Sequence, residues 1–303
     1  MRERIKQFSF TGHFKLFGVI SLVLVAVGLV GLLLLPFGVQ LFHFDIDFVG
    51  GVTMQIDLHT PVDAACTEAV ADIAAESAGV QVYSVTKAGD SGTQVMLKMQ
   101  AMDSRTRDAV FQAVAAVYGL EAQDLIKSDY VSASVGADLA GKALLASGVA
   151  VALILVYIAI RFSFKSGLAA VIALVHDLLV MLSVYVIFQI PFNMNFIAAA
   201  LTIFGYSINA TIVVFDRIRE NDKLEENRRL SFAQVVDRSI WQTMSRSLNT
   251  TITTLIVMVM LLILGVSSIR NFAAPICVGV LCGCYSSVCI SGPLWNILRG
   301  KTK

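Results

Sequence analysis

The sequence predicts a polytopic α-helical membrane protein of six spans, with one small α+β domain outside the bilayer between the first span and the second. Composition is the first reason. Of 303 residues 56 % are hydrophobic and 15 % charged, well below the quarter of charged residues usual in globular domains. Charge placement is the second: charged residues gather at the N-terminus, near 60 to 130 and from 216 to 246. Third, six apolar stretches lie between them, at about 16–35, 140–160, 168–190, 195–215, 248–266 and 271–295. Each is long enough to cross roughly 30 Å of hydrocarbon.

The first fifteen residues carry Arg2, Arg4, Lys6 and Lys15 and form a short N-terminus before span one. That span outlasts a signal-peptide core and no A-x-A-like site follows it, so it reads as a retained anchor. Arg161 and Lys165 sit between spans two and three, and Arg299, Lys301 and Lys303 follow span six, whereas the loops of opposite parity hold only Arg270. By the positive-inside rule both termini are cytoplasmic and residues 36–139 are extracytoplasmic.

Within 36–139, DIDFVGGVTMQID (45–57) carries the alternation of a strand, and the pair Gly50 and Gly51 marks a tight bend or a close backbone approach. Pro61 opens an alanine-rich helix that stops at Gly79. VQVYSVTKAG and TQVMLKMQ read as strands around Gly89 to Gly92. A second helix runs from about Asp103 to Tyr118 and ends at Gly119, and DLIKSDYVSASV gives the last strand. The order β-α-β-β-α-β is the ferredoxin-like pattern. Cys66 is its one cysteine, so it has no disulfide framework. Asp57, His59 and Asp63 read as a polar turn rather than a metal site. Nothing here suggests catalysis, and the domain reads as a binding or mechanical module.

Ionisable groups inside spans are costly, about 2.5 to 3.5 kcal/mol each on insertion scales, so each is a candidate functional residue. His176 and Asp177 fall halfway along span three. In span four Thr202, Tyr206, Asn209, Val213 and Asp216 recur at helical spacing, and Gln242, Arg246, Asn249 and Thr253 do so in span five. Such stripes turn inward, to each other or to a partner, rather than to lipid. Two plainer readings stay open: the neutral residues glue helices together, and Arg246 snorkels to phosphate. Cys277, Cys282, Cys284 and Cys289 accompany Gly279 and Gly283, a G-x-x-x-G helix contact more than a metal centre. Gly205 is read as structural in the same sense. No H-E-x-x-H or G-x-S-x-G occurs, which leaves hydrolytic chemistry unsupported. A net charge of +1 argues against nucleic acid as a partner. No catalytic residue, metal or cofactor is expected. The 216–246 segment mixes charges of both signs as a solvated amphipathic helix does.

Several stretches taken together resemble one family. DIDFVGG (45–51), VGADLAGKALLA (135–146), ALVHD (173–177), GYSIN (205–209), VVFDRIREN (213–221) and SRSLNT (245–250) are similar, in order and spacing, to the SecF side of the SecD/SecF family of the bacterial Sec translocase. That family lies within the resistance-nodulation-division superfamily, whose members pair two six-helix halves. The resemblance implies that this chain is one half and SecD the other. It implies further a place in the bacterial cytoplasmic membrane beside the SecYEG channel, the SecA motor and YidC, with preprotein drawn outward by the ion-motive force. A motor contact would fall on the 216–246 loop. In the family an acidic residue follows the GYSIN run and an arginine stands on the next helix. Here these are Ala210 and Arg246, so the acidic position is lost. A buried Arg246 would then need Asp177, Asp216 or a SecD carboxylate, with Ser207, Asn209 and Thr211 as uncharged ligands. A half-transporter for lipid or drug and a non-transporting scaffold are the alternatives.

Overall fold

The structure is a computed structural model, and it describes residues 8–37, 41–89, 91–265 and 267–300. Six helices are long and apolar enough to cross a membrane. They are α1 (Phe14–Leu34), α5 (Ala133–Arg161), α6 (Phe164–Ile187), α7 (Met194–Lys223), α8 (Phe232–Leu264) and a composite last helix. This last one comprises α9 (Ser267–Ser286), a π-helical turn (Ser287–Ser291) and α10 (Gly292–Arg299). In their most apolar stretches α6, α7 and the last helix are 61 %, 44 % and 56 % buried, against 11 % for α1, α5 and α8. The first three therefore form the centre of the bundle, and the others leave broad apolar faces uncovered.

Glycine sets how closely the central helices approach. A Cβ at Gly279 would lie 2.4 Å from Ile203 Cγ1, and one at Gly283 would lie 3.3 Å from Ser207 Cα. The G-x-x-x-G contact thus joins the last helix to α7. Gly205 meets nothing within 4 Å, so it takes no part in packing within the chain. Lower in the bundle Phe215, Ile218, Ile240 and Trp295 close a second apolar core.

The inserted domain runs β1 (Gly51–Asp57), α3 (Ala64–Ala78), β2 (Val82–Ala88), β3 (Gln94–Met99), α4 (Ser104–Tyr118) and β4 (Leu125–Val131). Its sheet has the order β2-β3-β1-β4 with every pairing antiparallel, the ferredoxin-like arrangement. Met54 stands opposite Leu97, and both are fully buried with Val70, Val110 and Val114 from the two helices. Asp63 and Asp103 cap the helix starts by accepting from the Cys66 and Thr106 N–H groups, while Gly79 and Gly119 end them in the left-handed conformation.

Three sequence expectations change. Residues 45–57 are not one strand: Asp45 caps a single helical turn, α2 (Ile46–Val49), and pairing begins at Gly51. The last strand stops at Val131, because Ser132 caps α5 by accepting from the Val135 N–H. The 216–246 segment is not a loop. Helix α7 continues to Lys223 and α8 starts at Phe232, which leaves 224–231 as the connection. Charge density marks where a helix leaves hydrocarbon, not where its backbone hydrogen bonds end.

Among the described residues the domain is fastened to the membrane helices around Asp45 and Asp47. The Asp45 N–H donates to the Phe192 carbonyl at 3.0 Å, and the Phe192 N–H donates to the His43 carbonyl at 2.6 Å. Asp47 Oδ2 accepts from the Met194 N–H at the start of α7. Asp45 Oδ2 also accepts from Lys98 Nζ of β3 at 2.6 Å, with the carboxylate side chain 2 % exposed. Gly136 on α5 rests on this junction, where a Cβ would stand 2.9 Å from the Phe48 carbonyl oxygen.

Candidate functional site: a buried carboxylate and an open polar face

Asp177 lies midway along α6 and is fully buried. An anion at that depth requires donors, and three converge on it. His176 Nδ1 stands 3.0 Å from Oδ1. Ser207 of α7 donates to Oδ2 at 2.5 Å, and Ser286 of α9 donates to the same oxygen at 2.8 Å. Hydrogen bonds to a charged group contribute about 1.5 to 3 kcal/mol each, so two or three offset an insertion cost of about 2.5 to 3.5 kcal/mol. The glycine contact makes the convergence possible, because the backbone at Gly283 comes close enough to Ser207 for both serines to reach one oxygen. Ser286 is also the last residue before the π-helical turn, and such turns recur at functional sites.

The buried side-chain atoms without a hydrogen-bond partner among the described residues include His176 Nε2, Thr211 Oγ1 and, on α8, Ser247 Oγ. Thr211 lies one turn beyond Ser207 on the same buried face of α7. The His176 ring lies 5.9 Å from that of Tyr285, whose hydroxyl donates to the Phe17 carbonyl of α1 at 2.9 Å.

The second polar region faces outward. Thr202, Gly205 and Asn209 are exposed on α7, and Gln242, Arg246, Asn249 and Thr253 are exposed on α8. Four side-chain bonds tie these helices together: Tyr206 with Thr251 at 2.9 Å, Arg217 Nε donating to Gln242 at 2.6 Å, and Asn221 Nδ2 donating to Ser239 at 2.8 Å and to Gln242 at 2.7 Å. Neither Asn209 nor Arg246 has a side-chain hydrogen-bond or ion-pair partner among the described residues, and both are exposed. Asp216 is bound by Arg161 at 2.8 Å, with Arg219 at 3.9 Å. Neither Asp177 nor Asp216 therefore pairs with Arg246. Ser207 and Thr211 lie on the buried face of α7 and Asn209 on the open one, so these three do not form one ligand set. Ala210 is half-buried beside Asn209.

Sequence reasoning singled out His176, Asp177 and Ser207 but missed Ser286 and Ser247. A signal was present, since Ser286 and Ser287 form a serine pair inside an otherwise apolar span. Among the described residues no group of three or more His, Cys, Asp or Glu could hold a metal. The four cysteines of the last helix are unpaired by disulfide and half-buried.

Fold and site together define a six-helix half-bundle with an inserted ferredoxin-like domain and a buried carboxylate on its third membrane helix. Residues 111–301 match the family described as protein export membrane protein SecD/SecF, C-terminal. The chain belongs to the SecD/SecF family of protein export membrane proteins. It is 39 % identical to the protein translocase subunit SecF of Sebaldella termitidis over 85 % of this chain and 82 % of that one. Against the SecF subunit of Acidaminococcus fermentans it is 35 % identical over 99 % and 100 %. The crystal structure of SecDF from Thermus thermophilus, a translocon-associated membrane protein, superposes with a TM-score of 0.81 at 33 % identity. The match covers 98 % of this chain and 39 % of that one.

Proposed function

We propose that the chain is a SecF-type accessory subunit of the Sec preprotein translocase, not an enzyme, that works with a SecD-like half to promote protein export. The supporting observation is the open face of α7 and α8 on a chain that matches only 39 % of a fused SecDF polypeptide. Asn209 and Arg246 find no side-chain partner among the described residues, and a second half-bundle seated on that face gives them one. A carboxylate of that half is the fitting counter-ion for Arg246, since an unpaired guanidinium within hydrocarbon is costly.

In this reading the protein is a multi-pass component of the bacterial cytoplasmic membrane with both termini inside, alongside SecYEG, SecA, YidC and the translocating preprotein. The inserted domain lies outside and is moved by the ion gradient. One charge crossing 100 mV releases about 2.3 kcal/mol, enough to shift a two-state domain by more than tenfold. With Ala210 in place of an acid, the gate at this face relies on the partner's carboxylate.

The test is export into vesicles that contain this chain, its SecD-like partner and the channel, with and without a gradient. Arg246→Gln is expected to abolish gradient stimulation while the two chains still copurify. Full gradient stimulation in Arg246→Gln refutes the role given to the open face. Gradient stimulation that survives neutralisation of the partner's facing carboxylate refutes the reading that, with Ala210 in place of an acid, the gate relies on that carboxylate.

A further inference from the structure

We propose that the groove between the membrane-boundary ends of α5 and α7 is a lipid-phosphate site, and that its occupant is the head group of an anionic phospholipid such as phosphatidylglycerol. The proposal goes beyond the export reading above and does not rest on it, because every side chain it uses belongs to this chain.

The groove is lined by Arg161, the last residue of α5, by Asp216, Arg219, Glu220 and Lys223 in the final turns of α7, and by Leu224 just after them. It offers about 510 Å³, within the range of about 300 to 1,000 Å³ in which small ligands are held. Three of these side chains are cations and two are carboxylates, and Glu220 is already bound by Arg217 at 2.6 Å. An excess of positive charge is left.

The two guanidiniums are held in place. Arg161 Nη2 donates to Asp216 Oδ1 at 2.8 Å, and Arg219 Nη1 donates to the Arg161 carbonyl at 3.2 Å. A guanidinium carries five N–H donors, so each retains donors for a phosphate, whose oxygens match its fork. Lys223 stands one turn beyond Arg219 on the same face of α7. It is exposed and makes no hydrogen bond or ion pair among the described residues, so its ammonium is free to meet an anion.

A soluble phosphate and a lipid phosphate share this chemistry, and the surface beside the groove favours the lipid. On α5 Tyr157 and Leu153 stand one and two turns before Arg161 on its face, with Val156 and Ile160 next to them. All four are exposed, Ile160 by 82 %. The strip reaches about 12 Å from the groove into the span. An acyl chain can lie along it while the phosphate stays among the three cations, and Tyr157 supplies the amphipathic ring suited to the boundary between them. Basic pockets between membrane helices bind anionic head groups by the same combination. A soluble phosphate makes no use of the strip.

The test is native mass spectrometry of the full chain, delipidated in detergent and titrated with phosphatidylglycerol, with phosphatidylcholine, or with glycerol 3-phosphate. We expect phosphatidylglycerol to bind more tightly than phosphatidylcholine, and glycerol 3-phosphate not to displace it. Lys223→Gln is expected to weaken phosphatidylglycerol binding about fivefold, equivalent to about 1 kcal/mol for one basic side chain near the surface. Its melting temperature is expected to match that of the parent, since no bond within the chain is lost. Arg229→Gln removes the same charge from the exposed 224–231 connection and is expected to leave binding unchanged. Equal affinity for the two lipids overturns the proposal, and so does an equal loss in the two variants. Displacement by glycerol 3-phosphate reassigns the groove to a soluble phosphate. A Lys223→Gln chain that keeps its lipid but loses a copurifying protein reassigns it to an acidic protein surface, which overturns the proposal as well.

Discussion

Replacing Lys98 by methionine isolates the contact that fastens the inserted domain to the membrane helices. Methionine keeps the length of the lysine stem and removes its charge, leaving Asp45 buried without its ammonium partner. Breaking a buried ion pair from one side costs about 3 to 5 kcal/mol. The lower end applies here, because the Asp45 carboxylate keeps the Ile46 N–H at 2.8 Å and the Lys98 side chain is 18 % exposed. A loss of about 3 kcal/mol corresponds to about a hundredfold in an opening equilibrium. Hydrogen exchange of the β1 and β3 amides, measured on the reconstituted full chain, reads that equilibrium. The control is the pair formed by Lys127 and Asp129, which at 2.5 Å is just as short but has side chains 63 % and 49 % exposed. An exposed pair contributes at most about 1 kcal/mol, so Lys127→Met is expected to accelerate exchange far less. If the two variants exchange alike, burial does not govern the strength of these pairs and the argument for the junction fails.

Gly279→Leu is expected to lower the thermal stability of the detergent-solubilised bundle by about 1 to 3 kcal/mol, because it drives a side chain into Ile203, while Gly205→Ala, facing open space, leaves it unchanged. The inserted domain is expected to weaken as pH rises above about 6.5. The hydrogen bond to Asp124 raises the His59 value above its ordinary 6.5, so that stabilisation is complete below 6.5 and lost as pH climbs through the raised value. The backbone N–H of Glu121, and then His59, hold Asp124 below its ordinary 3.8, so its contribution is complete above 3.8 and lost as pH falls through the lowered value. Urea unfolding followed across that range is expected to lose its upper pH limb in His59→Gln. Tyr206→Phe removes the bond to Thr251 and is expected to cost about 0.5 to 1.5 kcal/mol in the same melt that reads Gly279→Leu.

The six spans and the β-α-β-β-α-β order were legible because each depends on local signals. Apolar runs, helix-ending glycines and strand alternation all act within a few residues of where they are read. The misreadings come from elsewhere. The alternation in DIDFVGG counted Asp45 and Asp47 as solvent-facing strand residues, whereas Asp45 caps one helical turn and Asp47 caps another helix 147 residues away. The charged stretch after Asp216 looked like a loop because polarity changes at the bilayer surface while the helix runs on. At the site, the cost of a carboxylate in an apolar helix made Asp177 visible. Its partners were not, since Ser207 and Ser286 lie 30 and 109 residues away and serine is unremarked in most contexts. The open face of α7 was visible only as a periodicity. Which side of that helix is inward depends on Gly279 and Gly283, which give the buried side to Ser207 and Thr211 and leave Asn209 outside.

The strands that bring the chain into and out of the inserted domain are hydrogen-bonded neighbours, with Gly51 opposite Val131, and Gly136 sits directly on the turn before the first of them. Both ends of the domain thus hang from a single stem that includes the start of α5 and, through Asp47, the first residue of α7. Displacing the domain therefore strains the starts of α5 and α7, and α7 carries Asn209 on its open face.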